Sequence, residues 1–473
     1  MNLTLGDIVL CLTGKEPLGT ENHRRVMAVR TDSRAVEQGD LFVCLKGERH
    51  DAHDYAEQVS CLGAAAIVAS RPLDKVKCPV IVVPDTLVAL GQLGRCWRER
   101  TAATVVAVTG TAGKTTVKEL AAQTLEHILG SKQGRAGHVA KNHKNFNNQV
   151  GLPLSMLAAN GSESAWIMEV GISKPGDMAE LGVIIAPDVA LVLNIGPAHL
   201  EGLGSLEGVA QAKASLLEHV KPGGTALCCM DYPELWAAAK VLRPGVVGFS
   251  SRDASAMYHA RFLAAAEGGR GRFELVIDGQ RVEAELPACG AHFAENAAAV
   301  AAICHTLGHG AQDIAAGLSV AGLPEQRFCC SMRGDWCVVD DSYNANPLSM
   351  TRSIEAAKLM AGAKPLVLVL GDMRELGSGA AEAHEKLGAL LPAIAPAAVF
   401  FQGAHAADVA RGAGVAVAVT AVSEPRQVLE ALAARKISGG VALVKGSRSC
   451  HMEVYAQGLL CGLGTSETEG GRG

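Results

Sequence analysis

An apolar run at residues 104–108 passes directly into Gly110-Thr111-Ala112-Gly113-Lys114-Thr115-Thr116, and a helix-period pattern follows at 117–129. Apolar runs bounded by turn residues read as strands, and apolar positions spaced three and four apart read as a helix. Strand, glycine-rich turn and helix in immediate succession mark the start of an α/β unit. The apolar residues are mainly Ala, Val and Leu, a mixture that suits Val-rich parallel strands, buried on both faces, under Ala/Leu helices. The expected fold class is therefore α/β.

The same alternation recurs along the chain. Short apolar runs at 41–45, 64–69 and 80–83 are separated by polar or helix-like stretches, and 87–100 reads as a helix. Runs at 166–170 and 189–195 alternate with helical stretches, and 272–286 reads as a hairpin turning at Asp278-Gly279. The pattern breaks near Gly322 and Pro324, after which runs at 337–340, 365–370, 398–401 and 441–445 alternate with helices as in a doubly wound unit. Domains hold about 100–200 residues, so a chain of 473 should form three of them. The expected boundaries are 1–100, 101–323 and 324–463, with 464–473, rich in Gly, Ser, Thr and Glu, as a disordered tail.

Composition removes several classes. A net charge of −5 provides no positive field for nucleic acid or an anionic membrane. Fourteen scattered cysteines without a C-x-x-C pair, in a chain too large to need staples, read as reduced thiols. There is no basic leader, and the apolar stretches fall well short of the roughly 20 residues that span a bilayer. A cytoplasmic protein without membrane insertion is expected.

The loop 110–116 carries the strongest chemical signal. Backbone amides and a helix N-terminus can hold phosphate oxygens, Lys114 can neutralise terminal phosphates, and the Thr115 hydroxyl can sit on Mg2+. The full phosphate-loop motif wants glycine five positions before Gly113, where this chain has Val108. Glu169, closing an apolar strand, could give Mg2+ a second oxygen, and reads equally well as a solvated strand-end glutamate. His199 follows the strand near Ile195, and Lys213 lies fourteen positions on. Each alone reads more simply as an ordinary surface or core residue, and an ammonium cannot ligate a hard cation. Asp340-Asp341-Ser342-Tyr343-Asn344-Ala345-Asn346-Pro347 after a strand reads either as a ligand loop or as an Asx turn. These residues alone reach an ATP or GTP enzyme and name no substrate.

Together the segments resemble the Mur ligases of peptidoglycan synthesis, over nearly the whole chain. The likeness runs from Thr31-Asp32-Ser33-Arg34 and Leu45-Lys46-Gly47-Glu48-Arg49-His50-Asp51-Ala52-His53 through the phosphate loop to Lys445-Gly446-Ser447-Arg448-Ser449. It implies a small α/β N-terminal domain, a central P-loop mononucleotide-binding domain on a parallel sheet, and a C-terminal Rossmann-like domain. By that likeness Thr31, Asp32, Ser33 and Arg34 lie near the uridine nucleotide of a precursor, and Asn147 and Asn148 line the central cleft. Glu169 and His199 match Mg2+ ligands, and Lys213 matches a lysine carried as a carbamate, which would convert its ammonium into an oxygen donor.

Asn296, within Gly290-Ala291-His292-Phe293-Ala294-Glu295-Asn296, resembles a residue that helps hold ATP, and Arg327 and Asp341 match groups that reach it from the third domain. Phe293 replaces a usual asparagine, and Gln326 stands where glycine usually precedes the arginine. The segment containing Asn344 and Asn346, with Gly371-Asp372-Met373-Arg374-Glu375-Leu376-Gly377, looks like members that add D-alanyl-D-alanine to UDP-N-acetylmuramoyl-tripeptide. The D-N-P-R segment of members that add the third amino acid is missing from the sequence.

The resemblance implies that ATP phosphorylates the tripeptide carboxylate and that the dipeptide amine then displaces phosphate, in a protein expected to act as a monomer. Two other readings stand beside it. One is another ligase of the superfamily, such as a folylpolyglutamate synthase, for which a unit bearing Thr31-Asp32-Ser33-Arg34 has no role. The other is a nucleotide sensor without turnover, against which the set Lys114, Glu169, His199 and Lys213 argues.

Overall fold

The computed structural model describes residues 1–16, 20–133, 137–143, 145–197 and 200–463. Three sheets organise the chain. A four-stranded sheet runs in the order Val29–Arg30, Leu41–Val43, Ala66–Ala69, Val80–Val82, every pair parallel. A nine-stranded sheet takes the order Gln280–Leu286, Gly271–Ile277, Tyr258–Ala265, Val247–Ser250, Thr225–Cys229, Val189–Val192, Thr104–Thr109, Ala165–Glu169, Val139–Lys141. A six-stranded sheet follows the order Cys329–Arg333, Trp336–Asp341, Gly440–Lys445, Leu366–Gly371, Ala398–Gln402, Val419–Ala421. The chain divides into two compact units: Met1–Thr109 with Leu129–Leu191 and Ser215–Ala226, and Gly110–Ile128 with Val192–Ala214 and Leu227–Gly473. The expected tail at 464–473 lies outside the described residues.

In the first unit, Phe42, Ile67, Ala69 and Val59 bury the four-stranded sheet against its helix. Ala165–Glu169 is buried along its whole length, and Thr104–Thr109 is buried after its first residue. That is why both read as continuous apolar runs rather than as alternating ones. They pair in parallel with Val108 opposite Glu169, so Glu169 comes at the carboxyl end of its strand, where open α/β sheets present ligand groups. The helix Thr86–Arg100 starts on an Asp85 cap that accepts from the Leu87 and Val88 amides at 2.7 and 3.0 Å.

Near the other end of that helix, Arg98 is 1% exposed. Its guanidinium donates to the Ile185 and Ala186 carbonyls, both at 3.0 Å, and to Asp188 at 2.7 Å. Asp188 also accepts from the Val105 amide at 2.8 Å. One ion pair thus satisfies the carbonyls that end the helix Asp177–Ile185 and ties the helix Thr86–Arg100 to the first strand of its sheet.

In the second unit, the predicted hairpin is present: Gly271–Ile277 and Gln280–Leu286 pair antiparallel with Ile277 opposite Gln280. Asp278 and Gly279 take φ of 47° and 78°, the left-handed pair that a two-residue turn of this hand requires. The six-stranded sheet is parallel except for its edge strand Cys329–Arg333. Val338, Val367, Val369, Phe400, Val444, Met452 and Tyr455 form its core. Several strands escape the periodicity of the sequence, Thr225–Cys229, Val247–Ser250 and Val419–Ala421 among them. Cys329–Arg333 is a largely exposed polar edge, and Tyr258–Ala265 loses its buried pattern half way along. Among the described residues no helix is long and apolar enough to cross a membrane.

Removing one partner of a buried pair costs about 3–5 kcal/mol, the lower end applying here because Asp188 keeps some contact with solvent. Arg98→Leu is therefore expected to lower the stability of the first unit by about 3 kcal/mol in urea unfolding. A loss under about 1 kcal/mol would show that the pair does not join these elements.

Candidate functional site

In the second unit, the segment Gly110 to Gly113 leads into the helix Lys114–Gln133. Gly113 has φ of +79°, and a Cβ there would lie 2.8 Å from Asn296 Oδ1 and 2.9 Å from Leu193 Cδ2. Only glycine fits both the backbone and the space. The turn is held from below by Asn194, whose Oδ1 accepts from the Thr111 and Ala112 amides at 3.0 and 2.8 Å. Its Nδ2 donates to the Ala112 carbonyl at 3.0 Å. The next amides belong to the first helical turn, where N–H groups have no carbonyl within their own helix and favour an anion. Lys114 Nζ donates to the Gly110 carbonyl at 2.8 Å, which keeps the ammonium at the loop. Thr111 Oγ1 is buried without a hydrogen-bond partner among the described residues, a polar atom suited to a ligand oxygen.

Groups from the third predicted region reach this loop within the same unit. Arg327 donates to Thr115 Oγ1 at 3.2 Å, and its guanidinium lies 4.0 Å from the centre of the Tyr343 ring. Arg448 approaches that ring at 5.7 Å and donates to Gln326 Oε1 at 3.1 Å. Gln326 and Phe328, on either side of Arg327, take φ of 60° and 61°, the left-handed region that favours glycine. The position where the resembled pattern carries glycine is thus a strained one in this chain. Phe328 and Phe293 stack edge to face at 5.5 Å beside His292, whose burial pushes its imidazole down to about 3.

Asp341 closes its strand and accepts from Lys445 Nζ and Ser353 Oγ, both at 2.6 Å. Burial lowers the Lys445 ammonium from its ordinary range, and the Asp341 carboxylate opposes that shift. Asn344 Oδ1 accepts from the Ala345 amide at 2.9 Å. Asn346 caps the helix Pro347–Ala361 by accepting from the Ser349 amide at 2.9 Å, while its Nδ2 reaches the Thr111 carbonyl at 3.5 Å. The Asx reading and the ligand-loop reading therefore share this segment. Lys213 is 2% exposed on the helix Leu206–Ala214. His199 lies outside the described residues.

In the first unit, Glu169 is 3% exposed and accepts from Asn147 Nδ2 at 2.7 Å. Asn142, which the sequence did not single out, accepts from the Glu169 amide at 2.6 Å and donates to its carbonyl at 3.1 Å. Asn148 Oδ1 accepts from the Gly151 amide at 2.9 Å at the start of the helix Gly151–Ala158. Thr31 to Arg34 follow the strand Val29–Arg30, with Arg34 clasping Asp32 through bonds of 2.9 and 2.7 Å.

The structure thus assembles loop 110–116 with Asn296, Arg327 and Asn346 in one unit, and Asn147 with Glu169 in the other. Asn194 was not singled out in the sequence, and Lys445 was quoted there only within the likeness, with no role. Both interrupt or end apolar strands, Leu-Val-Leu-Asn and Ala-Leu-Val-Lys, and a polar group inside a buried run is a signal in itself.

Comparison with known proteins follows the same order along the chain. Residues 25–98 match the family described as "Mur ligase family, catalytic domain", 108–304 the "Mur ligase middle domain", and 326–448 the "Mur ligase, glutamate ligase domain". The chain is similar to the UDP-N-acetylmuramoyl-tripeptide--D-alanyl-D-alanine ligase of Escherichia coli K12. The two are 35% identical over 91% of this chain and 93% of that one. Among solved structures it is similar to MurF from Acinetobacter baumannii, with a TM-score of 0.86 at 28% identity over 97% of this chain and 99% of that one. It is also similar to MurF from Thermotoga maritima in complex with ADP, with a TM-score of 0.82 at 29% identity over 92% and 97%.

Two outcomes test the local geometry. Gln326→Gly is expected to raise the melting temperature, because relieving a left-handed non-glycine residue is worth about 1 kcal/mol. A lower melting temperature would show that the Arg448 contact outweighs the strain. His384, fully buried, accepts from the Met373 amide at 2.9 Å through Nε2 and holds the segment 371–377. Burial depresses its imidazole below the usual 6.5, so the unfolded chain takes up a proton first as pH falls. Its contribution to stability is complete above pH 6.5 and is lost progressively below it. His384→Gln should then show a smaller drop in melting temperature between pH 7.5 and 5.5 than the unsubstituted protein, and an equal drop refutes the assignment.

Proposed function

The chain belongs to the Mur ligase family, and from that premise we propose that it joins D-alanyl-D-alanine to UDP-N-acetylmuramoyl-tripeptide with the consumption of ATP. The carrying observation is identity of 35% across 93% of a ligase of that name. The held loop at Gly113 supplies the matching chemistry. A folylpolyglutamate synthase is disfavoured because the likeness to this ligase spans nearly the whole chain, including the unit that bears Thr31 to Arg34. A sensor without turnover is disfavoured because the sequence carries Lys114, Glu169, His199 and Lys213 together.

In this reading residues 1–100 hold the uridine end of the precursor through Thr31, Asp32, Ser33 and Arg34. Residues 101–323 bind ATP, and 324–463 contribute Arg327 and Asp341. Loop 110–116 and Asn296 hold the phosphates, Asn147 and Asn148 line the cleft, and Asn344 and Asn346 lie toward the dipeptide. The tripeptide carboxylate attacks the γ-phosphorus of ATP, and the acyl phosphate forms as the bond to ADP breaks. The dipeptide amine then attacks the acyl carbon, and phosphate leaves as the amide forms. Lys114 offsets the charge of the transferring phosphoryl group, and Arg327, fixed on Tyr343 and Thr115, adds a second cation, so catalysis is largely positioning and electrostatics.

By the family likeness Thr115, Glu169 and His199 would hold Mg2+, and a hydroxyl such as that of Thr115 and a carboxylate such as that of Glu169 are each the kind of hard oxygen donor the ion prefers. Bound there, the ion would neutralise charge on the phosphates. Lys213 fits only as a carbamate, whose oxygens would replace its ammonium. The same reading makes it a monomer that works in the cytoplasm, a compartment that keeps thiols such as its fourteen free cysteines reduced.

Phosphate release should require Mg-ATP, the UDP-tripeptide and D-alanyl-D-alanine together, with a pentapeptide product by mass. Lys114→Ala should lower kcat by about 10²–10³ with unchanged melting. Turnover with a pterin substrate, or near-normal turnover of Lys114→Ala, would overturn the reading.

A further inference from the structure

Glu295 is 2% exposed, and it is not among the groups assigned above to substrates. Its Oε1 accepts from Asn194 Nδ2 at 2.6 Å, and its Oε2 accepts from the Tyr232 hydroxyl and from Arg352 Nη2, both at 2.7 Å. Arg352 adds a second donor to Oε1 at 3.3 Å and also donates to the Tyr232 hydroxyl. Arg352 belongs to the helix Pro347–Ala361, whose cap Asn346 meets the Thr111 carbonyl. That helix therefore reaches the loop twice: through its cap, and through Arg352, Glu295 and Asn194.

The direction of each bond follows from the chemistry of the groups. A carboxylate only accepts, so Asn194 must present its NH2 to Glu295, which turns its carbonyl oxygen toward the Thr111 and Ala112 amides. With the amide turned over, its NH2 would face two N–H groups. Glu295 in turn needs a buried cation, since an unpaired buried carboxylate is strongly disfavoured. Burial opposes the charge on Arg352, but the Glu295 carboxylate outweighs it and holds the guanidinium protonated.

We propose that Glu295 and Arg352 are positioning residues that set the backbone of loop 110–113 through Asn194, so that the geometry of the nucleotide site depends on the seating of the helix Pro347–Ala361. The proposal rests on the reading of that loop as the ATP site. Neither residue need touch substrate, and both lie in the second unit with the loop.

The test uses the full chain with Arg352→Ala, Arg352→Lys, Glu295→Gln and the double variant Glu295→Gln/Arg352→Ala. Amide hydrogen exchange without nucleotide should speed up in the peptide covering 110–116 in Arg352→Ala, and not in the strand Ala165–Glu169 of the other unit. Mg-ADP affinity and the KM for ATP should weaken about tenfold in Arg352→Ala, with the KM for the UDP-tripeptide unchanged and Arg352→Lys recovering most of the loss. The double variant should be no weaker than the worse single one, as expected for groups acting through one contact.

Unchanged exchange at 110–116, or Mg-ADP affinity within twofold of the unsubstituted protein, overturns the proposal, as does additive loss in the double variant. Should Arg352→Ala fail to fold, Glu295→Gln, which keeps the side-chain volume and removes the charge, gives the same readouts. Failure of the unsubstituted protein to bind Mg-ADP would remove the ATP reading itself, and altered exchange at 110–116 would still register the coupling.

Discussion

A helix begins with N–H groups that its own turns cannot satisfy, and the second unit is arranged around one such beginning, at Lys114. Some helices of this chain answer that demand at once with a side chain, as Asp85 does for Thr86–Arg100 and Asn346 for Pro347–Ala361. At Lys114 the preceding residues are instead small or glycine, and the polar side chain that would cap the turn comes from Asn194, which grips the Thr111 and Ala112 amides. A loop with no side-chain cap of its own needs external support, and that support defines the neighbourhood: Leu193 and Asn296 press against Gly113, and Glu295 orients Asn194.

Three buried ion pairs sit at joints between elements. Arg98 with Asp188 joins a helix to a strand and to a second helix end in the first unit. Lys445 with Asp341 joins two adjacent parallel strands at their carboxyl ends, and Arg352 with Glu295 joins two helices in the second unit. An ion pair in such a place adds little net stability over a well-packed apolar substitute, but each partner is costly to leave alone. These pairs therefore specify register: any arrangement that parts them exposes an unpaired charge to the interior. For a site that must hold phosphate oxygens and a reacting carboxylate to a fraction of an ångström, register is the property that matters.

The parts of the fold legible in the sequence are those whose pattern is local. The strands buried on both faces appear as apolar runs, the hairpin appears through Asp278-Gly279, and the phosphate loop appears because strand, glycine turn, lysine and hydroxyl are contiguous. Boundaries were less accurate where a turn blends into a helix, so the helix after the loop begins at Lys114 and not at 117. The edge strand Cys329–Arg333 was invisible because one ladder of neighbours and exposed side chains impose no apolar period. Lys114 and Thr115 could be proposed from spacing, and Glu169 from its strand position. Asn194 with Glu295 could not, since their contact joins residues 101 apart, and no short pattern encodes a partner at that separation.

The same distinction explains Gln326. A motif reading registers it only as a departure from glycine, whereas the backbone shows the left-handed conformation that glycine favours, at φ of +60°, carrying a larger side chain. The strain is retained because that conformation aims Arg327 at Tyr343 and Thr115. The Gln326 side chain gains a bond from Arg448 that glycine could not make. Backbone strain of this kind persists only where the surroundings over-determine it, and here they do: two arginines share one tyrosine ring, and one of them reaches the hydroxyl at the start of the loop helix. In this chain Gln326 thus stands beside an Arg327 aimed at Tyr343 and Thr115, and brings Arg448 as a second cation to that ring.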